Sequence, residues 1–369
     1  MKIKCSKKDL VEAVNIVQKS VAVKSTVPVL EGIYIEAKGN VMIFRGSDAD
    51  MSSETVFVTD VSEEGKIVVD SRMFGDLIRK LPNTDIIMET QKDMNAVNIS
   101  AENSDLSLLY MNADEFPSFP GIEDAMGIEI TEGLFRKMVK RIIFCVSNED
   151  SRPILTGGLF DLEDGVLRMV GLDSFRMAVS TEEFPGFEGT LQRVIPGKTL
   201  RDVMSITGDN ENPMNISFTD NHVLFTLGNT KIISRLLQGE YFKYRTMIPD
   251  YSKLSVKVSR QDLLSSSERA SLLATEGTTN LIKFSFTPNE ILITSNSKQG
   301  KIREEVACES EGEEIEIAFN AKFMVDALKN MEDDTVRMEL TSPLTPCIVK
   351  PLESDSAQYI LLPVRIAKR

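Results

Sequence analysis

The chain has a single histidine in 369 residues, which limits the catalysis it could perform. His222 stands in TDNHVLFTLG, a turn leading into a strand, so a Ser-His-Asp or Cys-His arrangement could be built only around it. A lone histidine at a strand edge is more often structural or solvated than reactive. Carboxylates are abundant, but the two most tempting, Asp48 and Asp173, recur 125 residues apart after equivalent strands. That spacing points to a repeated turn and not to a unique acid/base pair. Cys5, Cys145, Cys308 and Cys347 are scattered without CxxC spacing and read as buried thiols of a reducing compartment. The sequence has no P-loop, Rossmann glycine pattern, zinc spacing or EF-hand loop. We expect no catalytic residues, no metal and no cofactor.

Fixed positive charge suggests a different chemistry. The net charge is -14, which by itself argues against nucleic acid, yet six helical segments together carry +8 and leave -22 for the remainder. In the most basic segment Arg136 with Lys140, and Lys137 with Arg141, form adjacent i,i+4 rows, while Leu134, Met138 and Ile142 form the row expected to be buried. If the six helices share a surface, it is positive and its surroundings are negative. Its candidate phosphate-binding residues are Arg72, Arg79, Lys80, Lys137, Lys140, Arg141, Lys198 and Arg201.

The elements that carry these charges repeat. SRMFGDLIRKL, PGKTLRDVMSI and NAKFMVDALKN align at Leu77, Val203 and Ala327, each preceded by an aspartate, with offsets of 126 and 124. A second helical segment recurs near Lys7, Thr131 and Arg260, and strands recur near Asn40, Gly165 and Asn289. Three elements in one order at one spacing mean a triplicated domain, which favours a curved or closed assembly over a single cleft. In SRMFGDLIRKL the expected buried stripe is Met73, Phe74, Leu77, Ile78 and Leu81. Short alternating runs between the helices, bounded by Gly, Asn and Asp, make each unit an antiparallel sheet backed by two helices, an α+β fold. Breaks rich in Pro, Gly and acidic residues place the domains at 1–126, 127–253 and 254–369. The first residues, MKIKCSKKDL, lack an apolar leader core, and no run approaches the roughly 20 apolar residues of a membrane span. We expect a cytoplasmic protein.

The segments MKIKCSKKDL, STVPVLEGI, DSRMFGDLIRKLP, NADEFPSFP, SRPILTGGLFDLEDGVLRMVGLDSFRMAV, IPGKTLRDVM, FNAKFMVDALKNM and YILLPVRI, in this order, resemble the β subunit family of bacterial DNA polymerase III, the sliding clamps. The resemblance runs from Met1 to about Ile366. It implies a homodimeric ring of six similar domains whose helices line a hole for double-stranded DNA, bound without regard to sequence. It adds Lys24, in VAVKSTVP, to the DNA-facing set, whereas Glu149 stands where the family can have a neutral polar residue. It implies a subunit interface of Leu106 and Leu108 against Leu272 and Leu273 of a second copy. It also implies a peptide pocket of Leu155, Leu172, Phe175, Met177, Phe242, Met247, Ile360 and Leu362, rimmed by Arg152, Arg176 and Arg245. Phe242 replaces a familiar proline and Thr246 a familiar basic residue. The partners implied are the catalytic subunit of the replicative polymerase, the clamp loader, repair polymerases, mismatch-repair proteins and ligase, all by short peptides, with the clamp on the nucleoid during replication.

A reading from another class shares the repeat, the acidity and the missing catalytic groups: a non-catalytic three-domain protein-binding scaffold that never encloses DNA. Retention on circular but not linear DNA separates the two.

Overall fold

Among the described residues each α-helix begins directly after a strand. The structure, a computed structural model, describes residues 1–122, 125–149, 151–274 and 280–365. Among these the helices are α1 (Lys7–Val17), α2 (Ser71–Lys80), α3 (Glu132–Ile142), α4 (Gly197–Ile206), α5 (Arg260–Ala274) and α6 (Ala321–Lys329). The last residue of the preceding strand usually caps the helix, because its side-chain oxygen accepts an amide proton left over in the first turn. Ser6 accepts from Asp9 N at 3.1 Å, Asp70 from Met73 N at 2.7 Å, Thr131 from Leu134 N at 3.2 Å, Ser259 from Asp262 N at 3.3 Å and Asn320 from Lys322 N at 3.0 Å. The order strand, helix, three strands, strand, helix, three strands occurs three times, with one extra strand, Asp60–Glu63, in the first repeat. The expected α+β triplication is therefore what the chain forms.

The strands group into two compact units. One comprises Met1–Arg136 with Asp202–Leu236, and the other Lys137–Arg201 with the chain from Leu237 onward. Among the described residues each holds one antiparallel sheet, and the strands counted are those of the described residues. In the first unit thirteen strands run from Met126–Thr131 to Asp60–Glu63, and the second repeat's Thr230–Arg235 pairs with the first repeat's Met51–Val58. In the second unit twelve strands run from Thr190–Pro196 to Glu316–Asn320, and Arg176–Glu183 pairs with Ala357–Leu361 of the third repeat. The middle repeat is thus shared between the sheets, joined to each neighbour by a strand ladder.

The cores follow the periodicities with local exceptions. Leu10, Ala13, Val14 and Val17 of α1 and Phe74 and Ile78 of α2 pack on Ile33, Ile35, Met42, Phe44 and Val69. In α2 the stripe is narrower than expected. Phe74, Ile78 and Leu81 are buried and Leu77 is half-buried, but Met73 is exposed, since it lies about 100° around the helix from Phe74. In α3, Phe135 and Val139 join Met138 and Ile142 inside while Leu134 stays half-buried. Two glycines 125 residues apart, Gly46 and Gly171, take the close approach of helix ends. A Cβ there would lie 2.2 Å from the Val17 carbonyl oxygen and 2.3 Å from that of Ile142.

Candidate functional site

Three separate stretches of the second unit converge on one buried apolar cluster. Leu155 comes from the short turn Pro153–Thr156, Leu172 and Met177 from adjacent strands, and Ile360 from Ala357–Leu361. Leu172 pairs with Met177 and Met177 with Ile360, so these three form a row across the ladder. All four belong to one buried cluster that also contains Leu159, Val170, Val179, Val194, Tyr244 and Ile348. Ile360 faces this cluster, whereas Tyr359 is buried elsewhere, its ring against Phe144 and its hydroxyl donating to the Asn330 carbonyl. Phe175, Phe242, Met247 and Leu362 remain 40–57% exposed, an apolar set of the kind that marks a binding surface. Leu362 N donates to the Phe175 carbonyl at 3.0 Å, which holds two of them together. Arg152 is exposed.

The other two arginines do not form a free rim. Arg176 has a side chain only 9% exposed. Its guanidinium lies 5.5 Å from the Phe144 ring centroid and 4.5 Å from that of Phe323, and donates to Asp173 at 3.0 Å, Asp326 at 2.7 Å and the Phe144 carbonyl at 2.8 Å. It fastens the Asp173 turn to α6, so its placement at the rim is corrected. Arg245 is half-exposed but held by Glu163 and, at 2.9 Å, by Asp161. Asp161 is fully buried; it accepts Tyr244 OH at 2.5 Å and Gln192 Nε2 at 2.9 Å. Burial pushes its carboxyl upward, but the hydrogen bonds from Tyr244, Gln192 and Arg245 outweigh that and hold it below the usual range. Burial, then the bond to Asp161, pushes the Tyr244 hydroxyl up to about 12. Sequence reasoning missed this group. The one available signal was a carboxylate set between Phe160 and Leu162 in GGLFDLE.

The basic candidates divide by exposure. Lys24, Arg72, Lys80, Lys198 and Arg201 are exposed. Arg79 contacts Asn15 and Gln18 at 2.9 Å and Asp76 at 3.1 Å. Lys137 pairs with Glu182 at 2.8 Å and Lys140 with Glu332 at 3.1 Å, partly exposed contacts of small energetic value. Arg141 must be withdrawn from the set. It is buried, bound to Glu182 at 3.2 Å and to the Ser356 carbonyl at 3.3 Å. A cavity of about 500 Å³ in the first unit is lined in part by Lys7, Lys8 and Glu12 of α1 and by Ser205 and Ile206, and Lys8 is exposed.

Leu106 and Leu108, expected at a subunit interface, lie on a strand with an open edge. Leu106 and Leu108 point toward their own core, while Leu109 is 76% exposed. Their strand, Ser104–Met111, pairs with Ala96–Ala101, but with Gly65–Asp70 only at Tyr110 and Met111, so among the described residues its other side is open through Leu109. Lys301–Gly312 behaves similarly: Lys301–Ala307 pair with Glu290–Asn296 alone and Cys308–Gly312 with Leu254–Ser259. On α5, Leu272 is 73% exposed and Leu273 half-buried.

The remaining chemistry is structural. Asp48 accepts from Asp50 N at 2.9 Å and Met51 N at 2.7 Å, and Asp173 from Phe175 N at 2.8 Å and Arg176 N at 2.9 Å, one turn made twice. Cys5, Cys145 and Cys347 are buried and Cys308 is half-buried, a correction to a uniform reading; burial raises the pKa of all four thiols. Among the described residues no three His, Cys, Asp or Glu side chains gather as metal ligands, and no helix is long and apolar enough to cross a membrane.

Comparison with known proteins covers nearly the whole chain. Residues 1–120, 129–243 and 245–365 match the N-terminal, central and C-terminal domains of the DNA polymerase III beta subunit. The chain is 34% identical over 377 residues to the beta sliding clamp of Bacillus subtilis strain 168, covering 99% of this chain and 100% of that one. It is similar to the crystal structure of the Bacillus subtilis DNA polymerase sliding clamp, with a TM-score of 0.94, 34% identity and 99% of each chain covered. It is also similar to that of the Thermotoga maritima DNA polymerase III beta subunit, with a TM-score of 0.93, 26% identity, and 99% and 100% of the two chains covered.

Proposed function

We propose, because the chain belongs to the bacterial DNA polymerase III β-subunit family and is the non-catalytic sliding clamp that makes that polymerase processive, that it works as a homodimeric ring with one peptide-binding recess per chain. The domains of this reading are 1–126, 127–253 and 254–369. Two copies join head to tail around double-stranded DNA, the open edges beside Leu106 to Leu109 and beside Leu272 and Leu273 meeting across each seam. Lys24, Arg72, Arg79, Lys80, Lys137, Lys140, Lys198 and Arg201 face phosphates and read no bases, since a tether must move over any sequence. The acidic remainder keeps DNA off other surfaces. Replicative polymerase, clamp loader, repair polymerases, mismatch-repair proteins and ligase compete for the recess by short extended peptides, in the cytoplasm on the nucleoid.

The observation that carries this reading is one buried apolar cluster, which draws Leu155, Leu172, Met177 and Ile360 from distant segments, in the same unit as four large apolar side chains left exposed in an acidic protein. Branched and thioether side chains there can adapt to several peptides. The test has two arms. The protein, loaded by its clamp loader, is expected to stay on nicked circular DNA and to slide off once the circle is cut. A labelled clamp-binding peptide of the replicative polymerase is expected to bind the wild type and not Leu155→Asp. Equal retention on circle and linear DNA removes the ring, and an unchanged titration removes the recess.

A further inference from the structure

We infer that Asp161 is a positioning residue for the recess: a buried carboxylate that fixes the Tyr244–Met247 turn and thereby the exposed rim that an incoming peptide meets. This rests on the recess being the peptide site.

Asp161 lies on the strand Gly157–Glu163, and Leu159, two residues before it on the same face, is part of the apolar cluster. A carboxylate fully buried on such a face persists only if its oxygens are filled by donors. Gln192, directly opposite in the ladder, serves Oδ1 at 2.9 Å. Oδ2 accepts Tyr244 OH at 2.5 Å and Arg245 Nη2 at 2.9 Å, both from the turn. Arg245 Nε donates to Tyr244 OH at 3.2 Å, and Glu163 takes the outer edge of the guanidinium. Upstream, the Tyr241 hydroxyl donates to the Val170 carbonyl at 3.3 Å, and Leu237 N to the Val194 carbonyl at 2.9 Å. The stretch is thus tied to the sheet before Phe242 and again just after it. Met247 lies two residues beyond Arg245, the last residue of the second tie. Within the turn itself the other bonds are short-range, Tyr244 N to the Phe242 carbonyl at 2.7 Å and Thr246 Oγ1 to the Lys243 carbonyl at 2.8 Å. Such bonds shape the turn but cannot locate it on the sheet.

The consequence is preorganisation. With the tie intact, Phe242 and Met247 are already placed when a peptide arrives. Without it, the competent arrangement is one of several, and apparent affinity falls by its population.

The experiment uses the full-length protein, the fluorescein-labelled clamp-binding peptide of the replicative polymerase in anisotropy titrations, and amide exchange across Tyr241–Ile248. Asp161→Asn is expected to weaken peptide binding roughly tenfold and to speed exchange of those amides in the free protein, with protection returning at peptide saturation. Tyr244→Phe is expected to do the same to a lesser degree, and the double variant to be no weaker than Asp161→Asn, because both act through one contact. A role in stability alone would lower the melting temperature and leave the Kd of the folded protein unchanged. A Kd within twofold of wild type in folded Asp161→Asn overturns the inference, and if that variant does not fold, the same result for Tyr244→Phe does so. Failure of the wild type itself to bind would remove the recess reading together with this one, whereas wild-type binding with unaffected variants removes this one alone.

Discussion

Two segments that leave one repeat for the next cross the outer face of a sheet, and they end in opposite states. After the first repeat, Ala113 and Phe116 settle on Val29, Tyr34 and Val68, with the Phe116 ring centroid 5.3 Å from that of Tyr34 and the two rings tilted by 36°. After the second repeat, Tyr244 crosses to Asp161 and the chain goes on to Met247. Tyr34 and Glu36 stand 125 residues before Leu159 and Asp161, so the sheet positions correspond. In the first crossing the tyrosine belongs to the sheet and its hydroxyl donates to Glu36 at 2.9 Å, two residues away on its own strand. That leaves the crossing segment to fill the apolar space with Phe116, which is buried. In the second the tyrosine belongs to the crossing segment and reaches a carboxylate in the sheet, while Phe242 and Met247 are left outside. One scaffold yields a closed seam or an open recess according to which layer supplies the aromatic ring.

The strongest challenge to that contrast is a pair of buried charges. Leu155→Asp should cost at least about 3 kcal/mol and abolish peptide binding, while Val29→Asp, under the first crossing, should cost a similar amount of stability and leave the peptide Kd of the folded protein unchanged. Urea unfolding and anisotropy read the two quantities, and loss of peptide binding in both variants would end the distinction. Arg176→Met strands Asp173 and Asp326 and is expected to lose about 3 kcal/mol in urea, against less than about 1 kcal/mol for Arg79→Met in its exposed pair.

Acid sharpens the comparison further. The Asp161 carboxyl is depressed in the folded protein, so its stabilising effect is complete above the unfolded value of about 3.9 and is lost as pH falls from there through the folded value. The stability gap between wild type and Asp161→Asn should therefore be widest near neutrality and close in acid; a constant gap down to pH 2 would mean that charge is not what Asp161 contributes. The smallest effect concerns DNA. Arg201→Gln should reduce the slope of log affinity against log salt by about 1, while Arg141→Gln, already bonded inside, should leave it unaltered.

What the sequence revealed and what it concealed differ in range. The strand-to-helix order and the Asp48 and Asp173 turns were legible because each is written in residues a few positions apart, and the triplication because those local patterns recur about 125 residues further on. The recess floor was legible only through resemblance, since Leu155 and Ile360 are 205 residues apart. Arg141 was misread because a charged residue type signals exposure, and Arg176 was set at the rim by the resemblance; only partners as distant as Ser356 and Asp326 show that these two are enclosed. Leu106 and Leu108 came from the resemblance, and the parity of their strand turns both toward the core and Leu109 outward. Asp161 looked like one more acid in an acidic chain, and nothing local distinguished it.

The shared middle repeat also bears on how the chain can be cut. Because Thr230–Arg235 and Arg176–Glu183 are each zipped to a strand of another repeat, a fragment spanning residues 127–253 would carry two raw edges, each a template for adhesion to its own kind. Such a piece should precipitate or form filaments unless both edges are blunted with lysine or proline, so excision would be far harder on the protein than a loop insertion.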